Sequence, residues 1–368
     1  IDDTNFEVSV LQSSKPVYEW KETSFQKPKK EDLVIYELLV RDFTDERTFQ
    51  AVTDKLDYLD SLGINAIELM PIMEFEGNLS WGYNPAFMMA VDKYYGTDHE
   101  LKKLIDACHQ RGIAVVLDIV LNHHFGRSSL VRLYNTGDYG PPNADNPWLN
   151  RTAKHDYNVG YDFNHESEWT RSYMDRILAY WIEEYNIDGY RIDLSKGLTQ
   201  KNTLGDVTEW GKYDASRVAI LKHFADVVWE ADSDAYVILE HFSENPEESE
   251  LADYGMMLWG NLRGNFFNAA MGIASDLKWG YYKFRGWNQN AIIGYMESHD
   301  EERILYEVGE RSLESFETQI NRLVQNALFF FAIPGPKMLW QFGEFGYDLE
   351  LNNDRLGVKA TKWEYLED

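Results

Sequence analysis

Three acidic residues of this chain each follow a short apolar run. They are Asp193 in GYRIDLSK, Glu240 in YVILEHF and Asp300 in GYMESHDEER. A carboxylate at the end of a buried strand is held by a rigid scaffold, and in a barrel of parallel strands it faces the mouth where chemistry is done. Glycoside hydrolysis needs two carboxyl groups that flank one glycosidic bond, one as nucleophile and one as acid/base. These acids therefore point to sugar chemistry.

The neighbours of two of these acids suggest different protonation states. Arg191 and Asp193 share a face of their strand because alternate strand residues point to the same side. A guanidinium favours the ionised form of a nearby carboxylate, and a nucleophile at a sugar carbon must be ionised. Glu240 instead follows an apolar run, which would raise its pKa and let it hold a proton near neutral pH. The structural alternative for Arg191 and Asp193 is a buried ion pair. The structural alternative for Glu240 is a residue at the start of a helix that faces solvent.

Eight apolar runs alternate with amphipathic stretches along the chain. The predicted strands cover residues 33–40, 66–71, 114–120, 189–194, 236–241, 256–260, 292–296 and 337–341. The predicted helices between them include residues 49–62, 99–111, 167–184, 214–231 and 315–331. Because no G-x-G-x-x-G motif follows an early strand, this pattern favours an α/β fold of the (β/α)8 TIM-barrel type over an open dinucleotide-binding sheet.

The predicted barrel occupies residues 33–368 and carries one unusual connection. Residues 124–166, after the third strand, are rich in Asn, Asp, Gly and Pro. Long connections in compact domains are usually functional, so we expect a small inserted domain over the cleft. Residues 1–32 contain a polar Lys/Pro/Glu segment that is typical of a linker. After the eighth strand we expect no room for a closing eighth helix, so the barrel is predicted to be truncated there.

Composition narrows the choice of partners and cofactors. The net charge of −27 in 368 residues repels phosphate backbones, which argues against nucleic acid as a partner. No apolar run approaches the roughly 20 residues that a membrane span needs. Neither a P-loop nor an H-E-x-x-H zinc motif occurs, so no organic cofactor and no catalytic zinc are expected. The single cysteine, Cys108, cannot form an internal disulfide.

Five motifs occur in a fixed order. They are residues 118–123, 189–196, 237–241 and 298–300 at the ends of predicted strands, and Trp81-Gly82-Tyr83-Asn84-Pro85 before the third strand. Each motif alone is weak, but in this order they are specific, and together they resemble the α-amylase family of retaining glycoside hydrolases. The resemblance spans about residues 33–368. It implies hydrolysis of α-linked glucans through a glycosyl-enzyme intermediate.

The resemblance also implies a role for each matched position. Asp193 would be the nucleophile, Glu240 the acid/base, and Asp300 the third carboxylate, which binds the −1 sugar. The other matched positions would bind or orient substrate groups: Tyr83, His123, Arg191, Lys196 and His299. By the same resemblance, an N-terminal β-sandwich module would precede the linker, and a C-terminal β domain would follow the barrel.

Two matched positions raise the question of a metal ion. Family members often bind calcium between the inserted domain and the barrel, and Asn122 and Asp162 match the positions that supply an amide and a carboxylate. The carbonyl group of Gly197 could add a third oxygen. Calcium takes six to eight oxygen ligands, and the sequence offers only this partial set. Two interpretations of Asn122 therefore stay open. It binds calcium, or it only forms a hydrogen bond to the loop.

The predicted function is an endo-type hydrolase that cleaves α-1,4-glucosidic bonds of starch, glycogen or maltooligosaccharides. Lys196 favours this interpretation, since amylase-type members carry a lysine there near the +2 sugar, whereas Gly197 departs from the histidine found in many amylases. A branching, transglycosylating or debranching α-1,6 enzyme of the same family is the alternative. A non-catalytic glucan-binding relative is disfavoured because no carboxylate of the triad is missing. Polymeric substrates would place the protein outside the cell, in the periplasm or on the cell surface.

Overall fold

Eight short strands close into one parallel barrel in the computed structural model, which describes residues 17–366. The barrel strands are β1 Val34–Leu38, β2 Ala66–Leu69, β3 Ala114–Ile119, β4 Gly189–Ile192, β5 Tyr236–Leu239, β6 Met257–Asn261, β7 Ile292–Tyr295 and β8 Lys337–Trp340. Each strand pairs with the next along the chain, and β8 pairs with β1. The (β/α)8 fold and all eight predicted strands are therefore confirmed, with ends that differ by one or two residues.

The helices form the outer layer. The α-helices are Val40–Phe43, Phe49–Asp54, Leu56–Leu62, Asp98–His109, Ser129–Arg132, Glu168–Tyr185, Val207–Gly211, Ala215–Ala231, Asn245–Tyr254, Arg263–Ala270, Ile304–Arg311 and Phe316–Ala332. Thr97 caps the helix Asp98–His109 in a capping box with Glu100. The predicted helix over residues 49–62 is divided at Lys55, whose backbone N–H bonds to the carbonyl group of Val52, three residues back, instead of four.

The strands separate two apolar layers because their side chains alternate between faces. One set packs inside the barrel, for example Ile35 on β1 and Ile238 on β5. The alternate set, for example Val237 and Leu239 on β5, packs outward against the helices. The strands are buried on both faces, and this explains why they appear in the sequence as nearly continuous apolar runs.

The segments that surround the barrel have limited regular structure. In the inserted segment, His123–His124 pairs antiparallel with Tyr161–Asp162. Residues 17–32 contact the helix Asp98–His109 through Asp106, and Lys27 pairs with Asp232. The assignment of residues 1–32 to a linker or module remnant stays a prediction, and residues 1–16 lie outside the described residues. Among the described helices, none is both long and apolar enough to span a bilayer.

The part of the chain after β8 contains no α-helix up to residue 366, in agreement with the predicted lack of a closing helix. It forms three short 3-10 turns, Gly343–Phe345, Asn352–Asp354 and Trp363–Leu366. An apolar groove lies beside β8 and the helix Phe316–Ala332, and the residues that line it include Leu323, Val324, Ala327, Phe331, Met338 and Leu339.

Candidate active site

The inner face of the barrel changes from apolar to acidic toward the mouth. On β1, Ile35 is followed two residues later by Glu37, and on β2, Ala66 is followed by Glu68, so each pair points inward. On β3, Asp118 continues the same inner face. All three carboxyl groups are fully buried. The sequence prediction did not assign them to the site, although an acid inside an apolar strand was a signal that could have found them.

One guanidinium joins three of the carboxylates at the mouth. Nη1 of the fully buried Arg191 lies 2.9 Å from Oδ1 of Asp118 and 2.8 Å from Oδ1 of Asp193. Its Nη2 lies 3.1 Å from Oε2 of Glu240. The ring of Trp259 lies beneath the guanidinium, 4.1 Å from it. The predicted pairing of Arg191 with Asp193 is therefore confirmed, and the same cation also holds Glu240 close to Asp193.

Burial and charge act against each other on Asp193. Burial raises the pKa of Asp193 to about 6, although Arg191 opposes the shift by favouring the carboxylate. The expectation that Arg191 favours the ionised form of Asp193 is confirmed in direction, but desolvation is the larger effect on its pKa. The carboxyl group of Asp193 is ionised above about pH 6 and can act as a nucleophile there.

Glu240 has the properties of a proton donor near neutral pH. Burial raises the pKa of Glu240 to about 7 against the opposing effect of Arg191, and Asp193 adds to the rise. Its Oε2 accepts a hydrogen bond of 2.8 Å from the backbone N–H of Leu194, which has a left-handed φ of 40°. The N–H and hydroxyl groups of Ser195 both donate to the Glu240 carbonyl group. The loops after β4 and β5 therefore hold the acid in one place.

Asp300 belongs to a charged cluster that follows β7. Burial disfavours its charge, but His299, Arg191 and Arg355 together hold the pKa of Asp300 below its ordinary value. Nη2 of Arg355 lies 2.6 Å from Oδ1 of Asp300. Nδ1 of His299 lies 2.5 Å from Oε1 of Glu37. Asp300 and Glu37 raise the pKa of His299 to about 10 despite its burial, so this imidazole is a cation at neutral pH.

Tyr83 and His123 lie next to this cluster. The Tyr83 hydroxyl group donates a 2.6 Å hydrogen bond to Oδ2 of Asp118, and its ring stacks on His299 with centroids 5.1 Å apart. Nε2 of His123 lies 2.8 Å from the Tyr83 carbonyl oxygen. Burial lowers the pKa of His123 to about 4, so its ring is neutral and donates to that carbonyl group. The structure thus gathers Tyr83 and both predicted histidines, and their contact with a sugar stays a prediction.

Lys196 lies on the side of Glu240. Its Nζ donates a 2.9 Å hydrogen bond to the carbonyl oxygen of Phe242 and lies 4.1 Å from the ring centroid of Trp210. Phe242 follows Glu240 by two residues, has a left-handed φ of 49° and exposes 42% of its surface. An aromatic residue in this strained conformation is costly and is often found at functional sites. The sequence prediction did not identify Phe242.

Asn122 and Asp162 both face the buried ring of His155. Nε2 of His155 lies 3.1 Å from Oδ1 of Asn122 and 3.9 Å from Oδ1 of Asp162. Gly197 packs so tightly against Asn122 that an added Cβ would overlap its amide oxygen, which explains the departure from histidine there. Even with the carbonyl group of Gly197, one amide oxygen and one carboxylate fall short of the six to eight oxygen donors of calcium, and calcium binding stays a prediction.

The sequence of this chain is similar to a known protein family and to individual proteins. Residues 24–141 and 142–362 match the family model described as the alpha amylase catalytic domain. A malto-oligosyltrehalose trehalohydrolase from Saccharolobus solfataricus is 36% identical over 212 residues, which is 55% of this chain and 35% of that protein. A 1,4-alpha-glucan branching enzyme from Saccharophagus degradans is 25% identical over 343 residues, or 86% of this chain and 44% of that protein. The chain thus spans less than half the length of these relatives.

Solved structures share the fold at low sequence identity. Amy13B from Eubacterium rectale superposes with a TM-score of 0.72 at 20% identity, covering 92% of this chain and 70% of that one. A type I pullulanase from Bacillus subtilis, solved with maltose, gives a TM-score of 0.71 at 21% identity and covers 97% and 57% of the two chains. These likenesses support the barrel fold.

Proposed function

Because this chain belongs to the alpha-amylase family, we propose that it is a retaining glycoside hydrolase that cleaves α-1,4-glucosidic bonds of maltooligosaccharides and longer α-glucans. The observation that carries this proposal is the position of Asp193 and Glu240 on the two terminal nitrogens of one guanidinium. Retaining enzymes keep their two carboxyl groups only about 5–5.5 Å apart, whereas inverting enzymes need room for a water molecule between them. The shared guanidinium holds both carboxyl groups at one end of the barrel, and the retaining arrangement is the one we propose for them.

The proposed reaction has two steps. Glu240 gives its proton to the glycosidic oxygen as the bond from that oxygen to the anomeric carbon breaks, and Asp193 attacks the same carbon to form a covalent glycosyl ester. Glu240, now a carboxylate, then removes a proton from a water molecule that attacks the anomeric carbon and releases Asp193. Asp300 and the cationic His299 supply an acceptor and a donor for hydroxyl groups of the −1 sugar.

The pKa values of the two acids predict a narrow pH optimum. Asp193 must be ionised, so activity is lost as the pH falls below about 6. Glu240 must be protonated, so activity is lost as the pH rises above about 7. We expect a bell-shaped profile of kcat/KM with its maximum between these values. The apparent pKa values of its two limbs belong to Asp193 and Glu240 as a coupled pair. A plateau that continues far above the pKa of Glu240 would contradict this assignment.

The acceptor side suggests which bond is cleaved. Lys196 and Phe242 form a polar and aromatic pair beside Glu240, where the leaving sugar must lie. Cleavage within α-1,4-linked chains is the reaction we propose. A second candidate is the release of trehalose from maltooligosyltrehalose, and it is favoured by the 36% identity to the trehalohydrolase from Saccharolobus solfataricus.

A product profile distinguishes these reactions. The protein would be incubated with maltoheptaose, pullulan and maltopentaosyltrehalose, and products would be separated by chromatography. Maltooligosaccharides of several lengths from maltoheptaose are the expected result, whereas selective release of trehalose would favour the second candidate. Cleavage of pullulan alone would indicate a debranching enzyme. If folded protein released nothing from any of the three, the proposed hydrolysis would be wrong.

A branching or transglycosylating reaction would use the same covalent intermediate and differ only in what intercepts it. In that case amylose would lose its iodine colour without a matching rise in reducing ends. We expect the loss of iodine colour to be matched by a rise in reducing ends, because hydrolysis creates one reducing end for each bond that is cut. Measuring both in one incubation decides between water and a sugar hydroxyl group as the acceptor.

A further inference from the structure

A group of large apolar side chains is exposed in one connection of the barrel. Residues 273–284 follow the helix Arg263–Ala270 and lead toward β7. Within them Ile273, Trp279, Tyr281 and Phe284 expose 53%, 48%, 38% and 55% of their surface. The rings of Trp279 and Phe284 lie edge to face, with centroids 6.4 Å apart. This clustering is unusual because a connecting segment is normally polar on its solvent side.

This segment returns to the mouth of the barrel. Gly280 packs against Leu262, which directly follows the carboxyl end of β6, so closely that a Cβ would overlap it. Asn245 donates a 2.8 Å hydrogen bond to the carbonyl group of Arg285 and accepts one of 2.9 Å from the indole N–H of Trp287. Asn245 begins the helix that follows Glu240. The exposed rings therefore lie on the rim formed by the ends of β5 and β6.

The Trp279 ring has one supported face. The guanidinium of Arg285 lies 4.6 Å from the Trp279 ring centroid and 4.2 Å from that of the buried Trp287. Arg285 also pairs with the buried Glu248, which accepts a 3.2 Å hydrogen bond from the backbone N–H of Ser243. Ser243 belongs to the loop after Glu240. The indole is thus held by buried groups that are tied to the acid/base loop, and much of the ring is open to solvent.

We propose that Trp279, with Phe284 beside it, forms an outlying subsite that binds a glucose unit of the leaving-group part of a long α-glucan. This inference rests on the proposed function, because Glu240 protonates the leaving sugar and the chain beyond that sugar must continue on the Glu240 side of the mouth. The apolar face of a pyranose packs on an aromatic ring, whose face is electron-rich. The substrate is neutral, so the net charge of −27 does not oppose its approach.

The test compares substrates of different length. In Trp279→Ala we expect kcat/KM on long maltooligosaccharides to fall about three- to tenfold, since one stacking contact is lost. On maltotriose we expect kcat/KM to be unchanged, because the proposed subsite binds a glucose unit beyond those that flank the scissile bond. Trp279→Phe should restore most of the loss. Trp169→Ala is the matched control, since Trp169 is 58% exposed on the helix Glu168–Tyr185. An equal loss on short and long substrates would overturn the proposal.

A binding measurement separates this proposal from the proposed hydrolysis. Three inactive proteins would be run through gels that contain amylose, where glucan binding slows migration. They are Asp193→Asn alone, Asp193→Asn with Trp279→Ala, and Asp193→Asn with Trp169→Ala. We expect only the Trp279→Ala combination to migrate faster than Asp193→Asn. If all three migrate alike, the subsite is wrong, whether or not the wild type hydrolyses glucans. The wild type could fail to hydrolyse any glucan while Trp279→Ala still speeds migration. In that case the subsite stands without the proposed reaction.

Discussion

Replacing Asp193 by asparagine is expected to lower kcat on soluble starch by about 10⁴-fold or more, because loss of a nucleophile removes the covalent route entirely. The amide is nearly the same size as the carboxylate, so the oxygen that receives Nη1 of Arg191 at 2.8 Å can be kept. Arg191 also retains Asp118 and Glu240 as charge partners. We therefore expect a folded protein that binds glucan and does not turn it over.

The matched control lies at the other end of the same strand. Asp188 directly precedes β4, is buried, and accepts hydrogen bonds of 2.7 Å from the N–H of Val115 and 2.8 Å from His109. Asp188→Asn should lower the melting temperature because one of these bonds is weakened, and it should leave kcat almost unchanged. Activity of Asp193→Asn equal to the wild type would refute the nucleophile assignment and favour the reading of Arg191–Asp193 as a structural ion pair.

Replacing Glu240 by glutamine is expected to lower kcat on starch by about 10²- to 10⁴-fold, the usual contribution of a positioned acid/base. A glucosyl substrate with an activated leaving group, such as a 2-chloro-4-nitrophenyl maltooligoside, needs little protonation to depart. On this substrate the first step should remain fast in Glu240→Gln, and the slow second step should leave the glycosyl-enzyme to accumulate. A burst of released chloronitrophenol would measure the fast first step, and the mass of the covalent adduct would show that the glycosyl-enzyme accumulates.

The alkaline limb of the pH profile should also disappear in Glu240→Gln. Glu344→Gln is the control, because burial likewise raises the pKa of Glu344 while its carboxylate accepts hydrogen bonds from the hydroxyl groups of Tyr36 and Tyr58, outside the barrel. We expect Glu344→Gln to keep the limb and most of the activity. Loss of the limb in this control would mean that a buried acid other than Glu240 governs it.

The amino-acid sequence by itself determined the eight strands and the order of the three carboxylates. Strand formation depends on local alternation and apolar runs, so the ends of β4 and β5, and hence Asp193 and Glu240, could be placed from their own neighbours. The same local reasoning gave no role to Glu37, or to Asp118 within its motif, since the partner of a buried acid in an apolar strand is not defined until the barrel closes.

Only the tertiary structure decided how these acids share their charges. Arg191 contacts Asp118, which lies 73 residues before it, and Glu37 contacts His299, 262 residues later. Strand periodicity states which face a residue occupies, but the closure of β8 onto β1 and the register between strands determine which residues meet. The contact of one guanidinium with Asp118, Asp193 and Glu240 and the placement of Trp279 on the rim follow from this packing, because proximity is a property of the closed barrel and not of any segment alone.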